Sequence, residues 1–243
     1  MPLAALSAAD QPLYELVTGP ECVTIADVIA HMEAIDALLP VNDGLKWFNQ
    51  LYMLVTKQVD LNPPGGAWKS PIWLAKLDVV FAGLYFSAVA GFVSGQTVPK
   101  AWQALLEGRY ATGIDRIQFA LAGLNAHINH DLALALLTTD AALNVVPGPN
   151  SLEYADYEAV NGLLRDVTPA ALMALAKDTL GVLAQDTGKI GRILSFWDLV
   201  AARQAAWAFA NHLRGLSGLA RTAALAAQDG LTGTIGRAIV AMV

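Results

Sequence analysis

An all-α fold is what this sequence predicts, and three observations carry the prediction. Apolar residues recur at helical spacing, strand-like alternation is absent, and helix-start signals precede almost every segment. The expected architecture is a single-domain multi-helix bundle around one buried central helix, about Ile114 to Leu143, with the first twenty or so residues loosely held.

The elements follow in chain order. Gln11 to Val17 forms at most a short helical stretch. Thr24 with Asp27 makes a capping box for a helix over Ile25–Leu39, which Pro40 stops. Asp43 caps a second helix from Gly44 to about Val59, and the Asn62-Pro63-Pro64-Gly65-Gly66 run is a loop. Ser70-Pro71 opens a third helix to about Val93 by N-cap and first-turn preferences. Thr97 and Pro99 begin a short fourth, closed by Gly108 to Gly113. After the central helix, Pro147-Gly148-Pro149-Asn150 is a break, Ser151 caps a helix to about Asp166, and Thr168-Pro169 opens another to about Gln185. A helix from about Ser195 runs through Arg214, and Ser217 starts a last, weaker one broken by Gly230, Gly233 and Gly236.

Composition excludes several function classes. The chain is 55% hydrophobic and only 15% charged, with a mean hydropathy of +0.45, so part of its surface is expected to be covered by another copy or by an apolar ligand. A net charge of −6 with scattered Lys and Arg argues against nucleic acid. Cys22 is the only cysteine, so no intrachain disulfide forms, and the N-terminus lacks a signal-peptide pattern; a cytoplasmic location is expected. Pro71 to Val93 is apolar, but Lys76 and Asp78 lie within it, and a buried helix rather than a membrane span is expected.

The central stretch Asn125-Ala126-His127-Ile128-Asn129-His130-Asp131-Leu132 crowds five polar side chains into an apolar helix. At ~100° per residue, Gln118, Asn125 and Asn129 fall on one line and His127, His130 and Asp131 on the opposite side. Two polar lines flanking an apolar stripe imply neighbours on several sides. With Trp73 to Phe86, Val160-Asn161 and the Ala201-Ala202-Arg203 to Ala206-Trp207 segment, this stretch resembles a bacterial family of all-helical proteins known only as a domain of unknown function, over roughly Asp43 to Leu213. That resemblance implies the fold and points to the His-containing stretch, but transfers no activity.

Three readings of His127 and His130 stay open. Their i, i+3 spacing lets them share a metal, one divalent ion such as Zn or Fe, with Asp131, Asp78 or His212 as further ligand. They also suit metal-free acid–base chemistry, or structural pinning of neighbouring helices. The His130-Asp131 doublet resembles that of HD-type phosphohydrolases, yet the upstream His of that pattern has no counterpart at the right spacing. Asp78, alone in an apolar run, is expected either to bridge Arg203 or to act beside the histidines.

The expected site is an apolar pocket. His127, His130, Asp131 and Asp78 are its candidate catalytic groups, and Asn125, Asn129, Asn161, Arg203 and Trp207 contact the substrate. The expected function is a small-molecule enzyme that cyclises, isomerises or hydrolyses a largely apolar metabolite. The competing reading is a non-catalytic protein that binds a hydrophobic ligand or serves as a scaffold.

Overall fold

The computed structural model describes residues 6–176 and 198–241, and among these there are helices and loops but no strand. In chain order they are α1 (Gln11–Val17), α2 (Ile25–Leu38), α3 (Gly44–Leu61), a 3-10 turn (Pro64–Gly66), α4 (Pro71–Val93), α5 (Lys100–Gly108) and α6 (Arg116–Ala126). A π-helical turn (His127–Asp131) then leads into α7 (Leu132–Leu143), followed by α8 (Leu152–Ala176), α9 (Leu199–Arg214) and α10 (Gly218–Ala241).

Local chemistry sets most helix starts. Thr24 and Asp27 form the expected capping box of α2, and Asp43 accepts the Leu45 N–H at 3.0 Å to open α3. The central helix begins at Arg116 rather than Ile114, because Asp115 and Gln118 make a capping box there. The start of α4 departs from expectation. The Ser70 side chain caps nothing, and Asp156 of α8 instead accepts the Lys69 and Ser70 N–H groups at 3.0 and 2.6 Å. Asp156 is therefore buried between two helices.

Two expected breaks are not made. α8 runs straight through Thr168-Pro169, since Tyr157, Val160, Leu164 and Leu175 keep one face of it in the core on both sides of the proline. The expected end near Gln185 and start at Ser195 lie outside the described residues; α9 opens on Asp198, which accepts the Val200 and Ala201 N–H groups. α10 is continuous across Gly230, Gly233 and Gly236. Glycine disfavours a helix without forbidding it, and the missing Cβ atoms of Gly233 and Gly236 allow close approach to α5. A Cβ on Gly233 would lie 2.7 Å from the Lys100 carbonyl oxygen.

The unit formed by α6, the π turn and α7 is the axis of the bundle. α3 and α10 pack on α6, while α4 and α9 pack on α7. Every residue from Ile117 to Ala126 is buried. The polar line on α6 is spent on α10: Gln118 Nε2 donates to the Ile239 carbonyl at 2.7 Å and Asn125 Nδ2 to the Thr232 carbonyl at 2.9 Å. On the α3 side Phe48 fits against Gly123 so closely that a Cβ there would fall 2.3 Å from the ring. That wedge carries Phe48 to the aromatic cluster around the π turn. α4 is long and apolar enough to cross a membrane, and in this fold its Trp73, Leu77, Ala82, Tyr85 and Val89 are buried among the other helices.

The glycines of α10 make a paired prediction. Gly233→Ala should destabilise the protein by ~1–3 kcal/mol through the clash with Lys100. Gly230→Ala, with open space around its Cβ, should stabilise it by ~0.5–1 kcal/mol. Urea unfolding of both variants checks this, and equal effects would mean that the α5–α10 contact is looser than described.

Candidate functional site

The site is built on the π turn. There the Leu132 N–H bonds to the His127 carbonyl five residues earlier, which adds a residue to the turn and crowds His127, His130 and Asp131 together. Asp131 is 2% exposed. Its Oδ2 accepts from Trp102 Nε1 at 3.0 Å and lies 3.1 Å from His127 Nδ1, and its Oδ1 lies 2.7 Å from His130 Nδ1. Burial alone would push the Asp131 carboxyl up, but the hydrogen bonds from His127 and His130 outweigh it and hold it below its ordinary value. An ionised carboxylate only accepts, so both imidazoles carry a proton on Nδ1.

His127 is 1% exposed and packed between rings. Phe81 stacks parallel on it with centroids 3.5 Å apart, and Tyr52 and Phe48 meet it edgewise at 4.5 and 5.7 Å. Burial lowers its pKa although the Asp131 hydrogen bond works the other way, so the imidazole is neutral at pH 7. Its Nε2 is buried and has no hydrogen-bond partner. His127 lines a cavity of about 70 Å³ enclosed by α3, α4, α8, α9 and the central helix.

The cavity wall is mostly aliphatic, with Leu51, Leu77, Leu124 and Ile128 among its residues, and its polar members are Tyr52, Thr56, Asp78, His127 and Arg203. Asp78 Oδ2 is, like His127 Nε2, buried without a hydrogen-bond partner, and the buried Tyr52 and Thr56 hydroxyls have only each other. Buried polar atoms are almost always paired, so two unpaired atoms and an isolated hydroxyl pair around one cavity mark a place that a guest or water can complete. Burial, with a contribution from Asp60, raises the Asp78 carboxyl to about 7. Burial and the nearby Asp78 raise the Tyr52 hydroxyl well above its ordinary value.

Asp78 and Arg203 share this cavity but do not form the bridge suggested by the sequence. Arg203 instead donates from Nε to Asn161 Oδ1 at 2.7 Å and from Nη2 to the Tyr157 carbonyl at 3.0 Å. Its guanidinium lies over the Tyr157 ring at 4.2 Å. Tyr157 and Asn161, one turn apart on α8, occupy the reach of the guanidinium before α4 can.

Other expected members of the site lie elsewhere. His130 lines a separate cavity of about 190 Å³ with Pro99, Trp102 and Leu134, its Nε2 3.8 Å from Asp229 Oδ1. Burial would lower its pKa, but Asp131 and then Asp229 raise it. The two histidines thus meet at Asp131 and face different cavities. Among the described residues no three His, Cys, Asp or Glu side chains gather to hold a metal, so the shared site suggested by their spacing is not formed.

The expected substrate contacts shift as well. Asn125 is committed to Thr232 and, through Oδ1, to Asn129 Nδ2 at 3.1 Å. Neither asparagine reaches the cavity. Asn161 supports Arg203 from behind, and Trp207 packs in the core on Trp73, Tyr154 and Tyr157. Sequence reasoning missed Tyr52 and Thr56. Their one signal is two hydroxyls four residues apart on the apolar face of α3 that carries Leu51 and Val59.

No curated protein and no solved structure matches the chain. Residues 25–242 match the family described as a family of unknown function, DUF5995, and with nearly its whole length covered the chain belongs to that family.

Proposed function

We propose that this protein is an acid–base enzyme that isomerises or cyclises a small, largely apolar molecule held in the His127 cavity. The observation that carries the proposal is the state of His127: a buried, neutral imidazole that lines an apolar cavity, oriented through Nδ1 by Asp131 and with no hydrogen-bond partner on Nε2. This is the base-and-orienter arrangement that general-base catalysis needs. Asp78 in the same wall is the complementary acid, because its raised pKa of about 7 leaves part of it protonated at neutral pH.

The step is a proton shift. His127 Nε2 takes a proton from carbon, the electron pair moves through the substrate, and the Asp78 carboxyl protonates a second position. Return of the proton from His127 to Asp78 closes the cycle. No redox partner or consumed water is required, and the Tyr52 hydroxyl, whose neighbour is Thr56, supplies a donor for charge that builds on the substrate. The mostly aliphatic lining also favours a second reading, non-catalytic binding of the same class of molecule.

Solvent exchange tests the proposal. Apolar molecules that co-purify with the protein are identified by mass spectrometry and returned to it in deuterium oxide. Wild type should place deuterium on carbon, and His127→Ala, still folded and still binding, should lose ~10²-fold or more in that rate. Binding without exchange in wild type would leave only the second reading. Stability loss in His127→Ala beyond ~2 kcal/mol, with exchange untouched, would make the imidazole structural.

Asp78 also makes a stability prediction. Its folded pKa, about 7, lies above the unfolded value of 3.8, so between the two the folded state holds more protons and stability falls as pH rises. Above pH 7 the full cost of burying the charge is present. Asp78→Asn should therefore gain on wild type by ~2–4 kcal/mol at pH 8 and by little at pH 4. Chemical denaturation at both values reads the difference, and a gain independent of pH would contradict the raised pKa.

A further inference from the structure

Arg203 has the groups of a ligand site but no carboxylate in ion-pair contact among the described residues; the Glu158 carboxylate of α8 acts on it only through space. It is 7% exposed, it lines the His127 cavity, and it forms no ion pair with a carboxylate among the described residues. Its contacts among the described residues are neutral: the Asn161 side-chain oxygen, the Tyr157 carbonyl and the face of the Tyr157 ring. Of the five N–H groups on a guanidinium, these use one on Nε and one on Nη2, so that three, including both on Nη1, donate to no described residue.

Arg109, also buried, shows the contrast. It binds Asp43 through Nε and Nη2 and Asp10 through Nη1. A buried charge is normally compensated in this way, because leaving it alone costs several kcal/mol. Asp78 cannot serve as the missing partner: it forms no ion pair with Arg203, and its own carboxyl is held near half-protonation.

The neutral contacts instead fix the orientation of the guanidinium. Nε and Nη2 are pinned to α8, the plane is stacked on Tyr157, and the Tyr157 hydroxyl returns a hydrogen bond to the Arg203 carbonyl at 2.6 Å. The side chain is held in place without being neutralised. A planar, charged fork with free N–H groups beside an aliphatic cavity matches a carboxylate on an apolar body.

We infer that the ligand of this cavity is an apolar monocarboxylic acid, its carboxylate paired with Arg203 and its hydrocarbon part lying toward Leu77, Leu124 and His127. This rests on the reading of the cavity as the substrate site and names the substrate class. It divides the cavity into an anchoring end at α8 and α9 and a reacting end at the π turn. The reacting carbon is then one distant from the carboxylate or conjugated to it, and Arg203 is a specificity-determining group rather than a participant in proton transfer.

The test compares matched probes on the full chain. Butanoate through decanoate and the corresponding primary alcohols are titrated by calorimetry at neutral pH. Wild type should bind the best carboxylate about tenfold or more tightly than its alcohol, and Arg203→Gln should abolish that preference while alcohol binding stays. Arg203→Lys keeps the charge without the fork, and should retain part of the preference. If the glutamine variant does not fold, the acid-to-alcohol ratio of wild type and of Arg203→Lys decides. Equal affinity for acid and alcohol in wild type overturns the anionic substrate and leaves the apolar cavity standing. Failure of both series to bind overturns the inference and the cavity reading together.

Discussion

The carboxylate of Asp131 is the point on which the interior of this protein turns. A charge buried to that degree survives only with donors on both oxygens, and here the donors are His127, His130 and Trp102. Two of the three come from its own turn of helix. That demand accounts for the chemistry of the imidazoles: each must hold its proton on Nδ1, so each presents Nε2 outward. The third donor ties the turn to α5, and α5 is tied in turn to α10, where Asp229 accepts the Ala101 N–H at 2.9 Å. One carboxylate thereby fixes a tautomer, a backbone irregularity and the placing of two other helices.

Around it the fold builds a low-polarity shell that favours neutral forms. Phe48, seated on Gly123, brings α3 close enough for Tyr52 to meet His127, and Phe81 of α4 closes the other face. In such surroundings a carboxylic acid keeps its proton and an imidazole loses its own, so Asp78 and His127 shift in opposite directions from one cause. The shell also sets the scale of each polar interaction in the cavity, since hydrogen bonds and ion pairs act more strongly where water is excluded.

Much of the fold was legible in the sequence because its signals are local. Thr24, Asp43 and the unbroken apolar pattern of the central helix mark their elements from neighbouring residues alone. Asp156 capping α4 from α8 is a contact across more than eighty residues, which no local pattern reports. The prominence of His127, His130 and Asp131 was visible as polarity inside an apolar helix. Their geometry was not, because a regular helical period places the two imidazoles on one face and cannot show that a wider turn sends their outer nitrogens into separate cavities. Asn125 and Asn129 misled for the same reason: a buried polar residue announces that it has a partner, not whether that partner is a ligand or the next helix.

The separation of Asp78 from Arg203 is the most informative of these differences. Two opposite charges in apolar helices should pair if stability were the only consideration, since each would relieve the desolvation of the other. The fold lines one cavity with both without pairing them, and their chemistry then diverges. Asp78 escapes its cost by taking up a proton, as its raised pKa records. Arg203 has no such escape, because a guanidinium stays charged under any condition in which the protein is folded. Its three neutral contacts orient it but leave its charge in place. A salt bridge between the two would have consumed the acid and the cation together and closed the space between them. Held apart, they leave a cavity walled by a carboxyl of raised pKa, an imidazole whose Nε2 has no hydrogen-bond partner and a guanidinium with no carboxylate in contact among the described residues, which is the set of groups that the proposed ligand site calls for.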